Sequence, residues 1–369
     1  MSNRIVISEP SLPSLEELKN SLDEIWENRW LTNDGPFLQQ FENALRGYLG
    51  AKHVAVQTNG HSSLEIGLRA LDLCDGEVIT TPYSFVSTSH AIRNVGAQVV
   101  FSDIDASTFN LDPLLIEEKI NPRTRAILAT HAYGLPCNLE ALDEIATRHG
   151  LALIYDGAHS FGTTVEGNAL SLYGDICMLS FHATKIFNSI EGGALVTANE
   201  ETLNRVRLLR NFGISGPDEI SGWGTNAKMN EILAAVGLLN LKGVEEEISR
   251  RTQVGQQYRT SLQGNDALQL LDPGHGIRWN HAYFPVLLDE SFAGDDLKRI
   301  EAALRIEGVV CRRYFSVSIN TIDVYRDCPG ADECRVSEDL ARRVICLPIH
   351  GRMSTQDAEE VSSKLQRLL

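Results

Sequence analysis

Surplus positive charge, paired cysteines and long apolar runs are what this 369-residue sequence does not have. Its 49 aspartates and glutamates outnumber 33 lysines and arginines, giving a formal net charge of −16. A field of that sign repels polyanions, so neither nucleic acid nor an anionic membrane surface is expected as a partner. No stretch approaches the roughly 20 consecutive apolar residues of a membrane span. The opening Met1-Ser-Asn-Arg-Ile-Val-Ile-Ser-Glu-Pro10 holds no apolar segment of the signal-peptide kind. Seven cysteines, odd in number and scattered without a Cys-x-x-Cys pair, form neither a disulfide framework nor a zinc spacing, and no metal site is expected. Cys177 and Cys346 lie in apolar runs and read as small core residues. These features together predict a cytoplasmic protein. Repeats, low-complexity tracts and a Pro-rich linker are also missing, so its parts should pack closely without a tether.

What is present is an ordinary globular composition, 43% hydrophobic and 22% charged, in a chain long enough for one large and one smaller domain. Short apolar runs at 53–58, 77–81, 98–103, 126–133, 151–156, 175–181 and 194–197 read as strands. Helical patterns lie between several of them; over 139–149, Leu142, Ile145 and Ala146 follow helical spacing. This alternation predicts an α/β fold whose seven-stranded, mostly parallel sheet is covered by helices on both faces. Two helices, 14–27 and 37–49, precede it, parted by the Asn33-Asp-Gly-Pro36 turn. From Val244 the strands become fewer and shorter, at 283–288 and 308–310. A final helix runs from Ser354 to about Leu368, its start a hydroxyl cap before an acidic first turn. Residues 1–243 are therefore read as the large domain with its N-terminal arm, and 244–369 as the small one.

Three segments of the large domain carry chemistry. In Ser180-Phe-His-Ala-Thr-Lys185, one of only eight lysines follows directly on a strand-like run. A lysine in a desolvated site loses proton affinity and becomes an amine nucleophile able to form a Schiff base, although a lone lysine at a strand end more often snorkels to water. In Leu151-Ala-Leu-Ile-Tyr-Asp156-Gly-Ala-His159, the carboxylate falls at the carboxyl end of a strand, where open α/β sheets bind ligands. There Asp156 suits the protonated ring nitrogen of pyridoxal phosphate, or merely caps the next helix. His159 either covers that ring's oxygen or packs behind it. In Asn59-Gly60-His61-Ser62-Ser63, a tight turn opens a helix patterned by Leu64, Leu68 and Leu71. Its free amides suit a phosphate, with Ser62 or Ser63 adding a hydroxyl. The segment is neither a Walker loop nor a three-glycine dinucleotide fingerprint. Each feature alone is ordinary. Together and in this order they form a phosphate cradle, a ring-nitrogen partner and an imine-forming lysine.

With these residues in place, the chain resembles the DegT/DnrJ/EryC1/StrS sugar-nucleotide aminotransferases end to end. The match runs from Trp30-Leu-Thr-Asn-Asp-Gly-Pro-Phe37 through Ser180-to-Lys185 and Glu191-Gly-Gly193 to Leu347-Pro348. Residues 30–37, 77–90 and Arg312-Arg-Tyr-Phe315 are similar to members that form dTDP-4-amino-4,6-dideoxyglucose. The resemblance implies the fold-type-I, aspartate aminotransferase-like architecture, bound pyridoxal 5'-phosphate, and a keto-deoxysugar nucleotide with glutamate as the reacting pair. It implies that Phe85 stacks on the cofactor ring, that Gly60, His61, Ser62 and Ser180 face its phosphate, and that Asn226 reaches that phosphate from the neighbouring subunit of a homodimer with shared active sites. His61 stands where a small hydroxyl residue is usual, His159 where glutamine is frequent, and Ala227-Lys228 in place of a common Tyr-Arg pair. Some members carry histidine instead of the lysine and become dehydratases; Lys185 argues against that.

A substrate that is itself dianionic needs local cations to offset the net charge. Arg29, Lys228, Arg312 and Arg313 are the candidates, each an ordinary surface charge when judged singly, and Tyr83 and Tyr314 complete the candidate substrate contacts. Amination at C3, GDP-perosamine formation and cyclitol amination remain open beside C4 amination. A non-catalytic cofactor-binding regulator is disfavoured by Lys185 and Asp156 and by the absence of an added DNA-binding segment.

Overall fold

The computed structural model describes residues 4–292 and 294–369. All seven expected strands form, as β1 (His53–Gln57), β2 (Glu77–Thr80), β3 (Gln98–Phe101), β4 (Thr124–Thr130), β5 (Ala152–Asp156), β6 (Ile176–Ser180) and β7 (Gly193–Thr197). They join in one sheet of order β1-β7-β6-β5-β4-β2-β3, in which only β7 runs antiparallel to its neighbours. The strands read as continuous apolar runs because both faces are buried, as in other parallel sheets. Val54 and Val56 contribute to one core, with Ile79, Ile127 and Leu179, while Ala55 between them contributes to the other, with Val78, Leu128 and Met178. The period of two along each strand thus splits the large core into two layers.

Helices cover both layers: α1 (Leu15–Asn28), α2 (Pro36–Leu49), α3 (Gly60–Ala70), α4 (Ser87–Asn94), α5 (Leu139–His149), α6 (Glu200–Leu209) and α7 (Glu231–Leu241). α2 belongs to the large core, for Leu38, Phe41 and Leu45 are buried in it. Its start explains how it is held. Gly35 at the N-cap has no side chain to bond the first amides, and the buried Glu231 of α7 takes that role, accepting from the amides of Phe37 at 2.8 Å and Leu38 at 3.0 Å. A carboxylate at a helix N-terminus also meets the positive end of the dipole. The free edge of β1 is closed similarly: Glu42 accepts from the Val56 amide at 2.9 Å and Arg210 donates to the Val56 carbonyl at 2.8 Å.

The remainder begins with α8 (Val244–Leu262) and adds an antiparallel sheet of β8 (Leu268–Leu270), β9 (Phe284–Leu288) and β10 (Val344–Leu347), packed by α9 (Gly294–Ile306), α10 (Arg335–Arg343) and α11 (Thr355–Gln366). The strand expected at 308–310 is reduced to a single bridge, Val309 with Ile5. The capping box at Ser354 and Asp357 is formed. Among the described residues, no helix is long and apolar enough to cross a membrane.

Candidate active site

The carboxyl ends of β4, β5 and β6, with the segments that follow β1 and β2, surround a cleft of about 660 Å³. A groove of similar volume, about 670 Å³, runs along α8 beside Trp279 but gathers none of the candidate residues.

At the cleft floor Asp156 is buried, its Oδ2 accepting from Thr88 Oγ1 at 2.7 Å and its Oδ1 from the Ala158 amide at 3.1 Å. Burial pushes the carboxyl upward, against the two hydrogen bonds and the charge of Lys185, which favour the anion. Lys185 keeps some solvent access through the cleft mouth, yet enough protein surrounds its amine that desolvation lowers its proton affinity to about 8, against the pull of Asp156. A substantial fraction is therefore a free amine just above neutral pH. His159 is buried, stacks on Phe315 at 5.9 Å and meets the edge of Tyr283 at 4.6 Å. Burial, aided by Lys185, drives its imidazole well below the usual range, so it stays neutral.

Asn59 Oδ1 caps α3 by accepting from the Ser62 amide at 2.8 Å. The opening amides of a helix have no intrahelical acceptor, and here Gly60 and His61 lie on the cleft. Space beside both glycines of this contact is tight, and Gly193 admits no side chain without a backbone shift. A Cβ on Gly60 would come within 3.1 Å of Ser180 Cβ, and one on Gly193 within 2.5 Å of the Asn59 carbonyl carbon. The two serines separate: Ser63 Oγ is held between Gln57 Oε1 and the Asn59 carbonyl, whereas Ser62 lines the cleft. His61 Nδ1 sits 2.8 Å from Ser87 Oγ, and its Nε2 lies 3.2 Å from Glu65, which raises its proton affinity.

Phe85 lines the cleft with 63% of its surface exposed, too much for a core phenylalanine. Ser180 and Tyr314 also line it. The other substrate candidates do not. Tyr83 is corrected outright: it is fully buried, its hydroxyl 2.6 Å from that of Tyr133 and its ring edge-on to Phe315, so it supports the cleft wall from behind. Arg313 is partly buried and pairs with Glu301 at 3.6 Å. Arg29 is exposed at the end of α1. Asn226 is exposed and accepts from Lys228 Nζ at 3.0 Å, and that amine lies 4.7 Å from the Phe212 ring. Neither lines the cleft of its own chain. Sequence reasoning missed Thr88, Tyr283 and the pair His182 and Glu191 (3.6 Å apart), all of which touch the cleft or Asp156.

The residues present fit pyridoxal phosphate. His159 Nδ1 is buried without a partner, as suits a group that meets a ring substituent, and Gly60, His61 and Ser62 line the cleft at the opening of α3, where helix amides are free for an anion. Fold and site together define a fold-type-I aminotransferase. The DegT/DnrJ/EryC1/StrS aminotransferase family model matches residues 14–366, and the chain belongs to that family, whose members depend on pyridoxal phosphate. It is 38% identical to an Escherichia coli dTDP-4-amino-4,6-dideoxy-D-glucose transaminase, over 99% of this chain and 98% of that one. Identity to the Shigella dysenteriae enzyme of the same name is 36%, over the whole of both chains. The crystal structure of DesI with its TDP-sugar product superposes with a TM-score of 0.93 at 34% identity, covering 100% of this chain and 93% of that one. The expected family and fold are thus established.

Proposed function

We propose that this aminotransferase moves the amino group of glutamate onto the keto carbon of a nucleotide-linked sugar, and that this sugar is dTDP-4-keto-6-deoxy-D-glucose, the product being dTDP-4-amino-4,6-dideoxyglucose. The observation that carries the reading is the pairing, in one cleft, of an amine with lowered proton affinity and a buried carboxylate. The names of the two relatives aligned over nearly the whole chain support C4 as the aminated carbon.

Pyridoxal phosphate, when bound, supplies an electron sink for the pair left behind as a proton leaves the donor carbon. Lys185 would hold the cofactor through Nζ and, when its amine is free, would hold and move that proton. With its affinity at about 8, Nζ gives up or takes a proton at little cost near neutral pH. Asp156 would keep the ring nitrogen cationic, Phe85 would cover the ring, His159 would meet its oxygen, and the Gly60 and His61 amides with Ser62 and Ser180 would take the phosphate. Excluding water from Asp156 strengthens its effect on developing charge.

The partner is a second copy of the chain, with active sites shared between the two. Around Asn226 and Lys228 lies exposed apolar surface, Phe212 at 47%, Ile220 at 73% and Trp223 at 91%, of the kind that marks an interface. Asn226 and Lys228 then serve the neighbouring cleft. All seven cysteines are free, in keeping with a reducing cytoplasm.

The deciding assay offers 3-keto and 4-keto dTDP-, UDP- and GDP-sugars with glutamate and measures 2-oxoglutarate. Turnover is expected with the dTDP 4-keto sugar. Preference for a 3-keto or GDP sugar would move the assignment, and full activity in Lys185→Ala would end it.

A further inference from the structure

Asp156 is held by more than its own loop. Thr88 Oγ1 donates to Oδ2 at 2.7 Å, Ser84 Oγ lies 2.7 Å from Thr88 Oγ1, and Thr130 Oγ1 donates to Ser84 Oγ at 3.1 Å. The three hydroxyls are all buried and come from three segments: the loop after β2, the first turn of α4 and the end of β4. A hydroxyl has one proton to give. Because that of Thr88 goes to the carboxylate, Ser84 must donate to Thr88, and the chain runs in one direction: Thr130 to Ser84 to Thr88 to Asp156. On the adjoining β2 the buried hydroxyl of Thr80 instead donates to a backbone acceptor, the Leu128 carbonyl, at 2.7 Å. Hydrogen bonds aligned head to tail polarise one another, and here they converge on the one oxygen of Asp156 that the backbone does not bond.

We propose that Thr88, backed by Ser84 and Thr130, is a positioning residue that holds Asp156 as an oriented anion and so fixes the proton on the cofactor ring nitrogen. The proposal rests on the assignment of Asp156 as the ring-nitrogen partner. Without the donated hydrogen bond the carboxylate becomes more basic, and the shared proton moves from the ring nitrogen toward Asp156.

The test is nitrogen NMR of holoenzyme carrying cofactor labelled with ¹⁵N in the ring. Wild type should show a protonated ring nitrogen. Thr88→Val should shift the resonance toward the unprotonated position and lower kcat roughly tenfold or more, the scale of one hydrogen bond to a charge. Thr88→Ser should restore both. Ser84→Ala, which leaves Thr88 in place, should shift the resonance the same way by less, and it decides the matter should Thr88→Val fail to load. If Asp156→Asn moves the resonance while Thr88→Val and Ser84→Ala do not, Thr88 is only packing and the proposal falls alone. If Asp156→Asn leaves it unmoved, the ring-nitrogen assignment falls and the proposal with it.

Discussion

Replacing Lys185 with methionine should make the cofactor-free protein more stable, and only below a definite pH. Burial lowers the ammonium from 10.5 to about 8. In the unfolded chain the side chain returns to the ordinary value, so folding drives off a proton that the unfolded state keeps. Below pH 8 the group is charged in both states, and the full cost of burying it, about 3 kcal/mol at most, is felt. Between 8 and 10.5 the folded protein sheds the proton first and the cost fades; above 10.5 it is gone. Residual solvent at the cleft mouth trims the figure, and 1 to 3 kcal/mol is the expected range. Methionine fills a similar volume without a charge. Urea titrations of wild-type and Lys185→Met apoprotein at pH 6.5, 7.5, 8.5 and 9.5 should show the variant ahead by a constant margin at the lower values and by a shrinking one at 9.5. A variant less stable at pH 7, or ahead by the same margin at every pH, would refute desolvation as the origin of the reactive amine.

Asn59→Ala removes the cap of α3 and should cost about 1 kcal/mol, read by the same titration, together with weaker retention of the cofactor. Gly193→Ala drives a methyl into the backbone of Asn59 and should destabilise the protein by roughly 1–3 kcal/mol. The gain in melting temperature on adding pyridoxal phosphate should shrink in that variant, and an unchanged gain would mean the turn does not hold the phosphate. Phe85→Ala should leave the apoprotein within about 0.5 kcal/mol of wild type, because the ring is mostly exposed, while cutting that same gain. A large loss of apoprotein stability would instead make Phe85 a core residue.

The large sheet, and the places of Asp156 and Lys185 in it, were legible because they depend on short-range pattern. Strands buried on both faces read as apolar runs, and their ends place Asp156 and the approach to Lys185 without any knowledge of what lies opposite. The helix start after Asn59 was legible because the contact that fixes it, Asn59 Oδ1 with the Ser62 amide, spans only three residues. Thr88 could not be tied to Asp156, 68 residues distant, since nothing in a threonine on a short helix says which carboxylate it will meet. Tyr83 and Phe85 show the same limit at closer range. Both are aromatic residues of one loop, yet Tyr83 is fully buried against Tyr133 and Phe315 while Phe85 stands open to the cleft.

By itself, then, the sequence determined the layered α/β architecture and the turn that opens α3, and it singled out the amine and the acid on which the proposed function rests. Periodicity, capping and turn chemistry act between residues a few positions apart, and for these the chain is its own context. The tertiary structure decided which serine faces the cleft, which tyrosine is withdrawn from it, how far Lys185 loses its proton and what anchors Asp156. Those properties follow from burial and from partners brought together across dozens of residues, and a charge has no definite proton affinity until its surroundings exist.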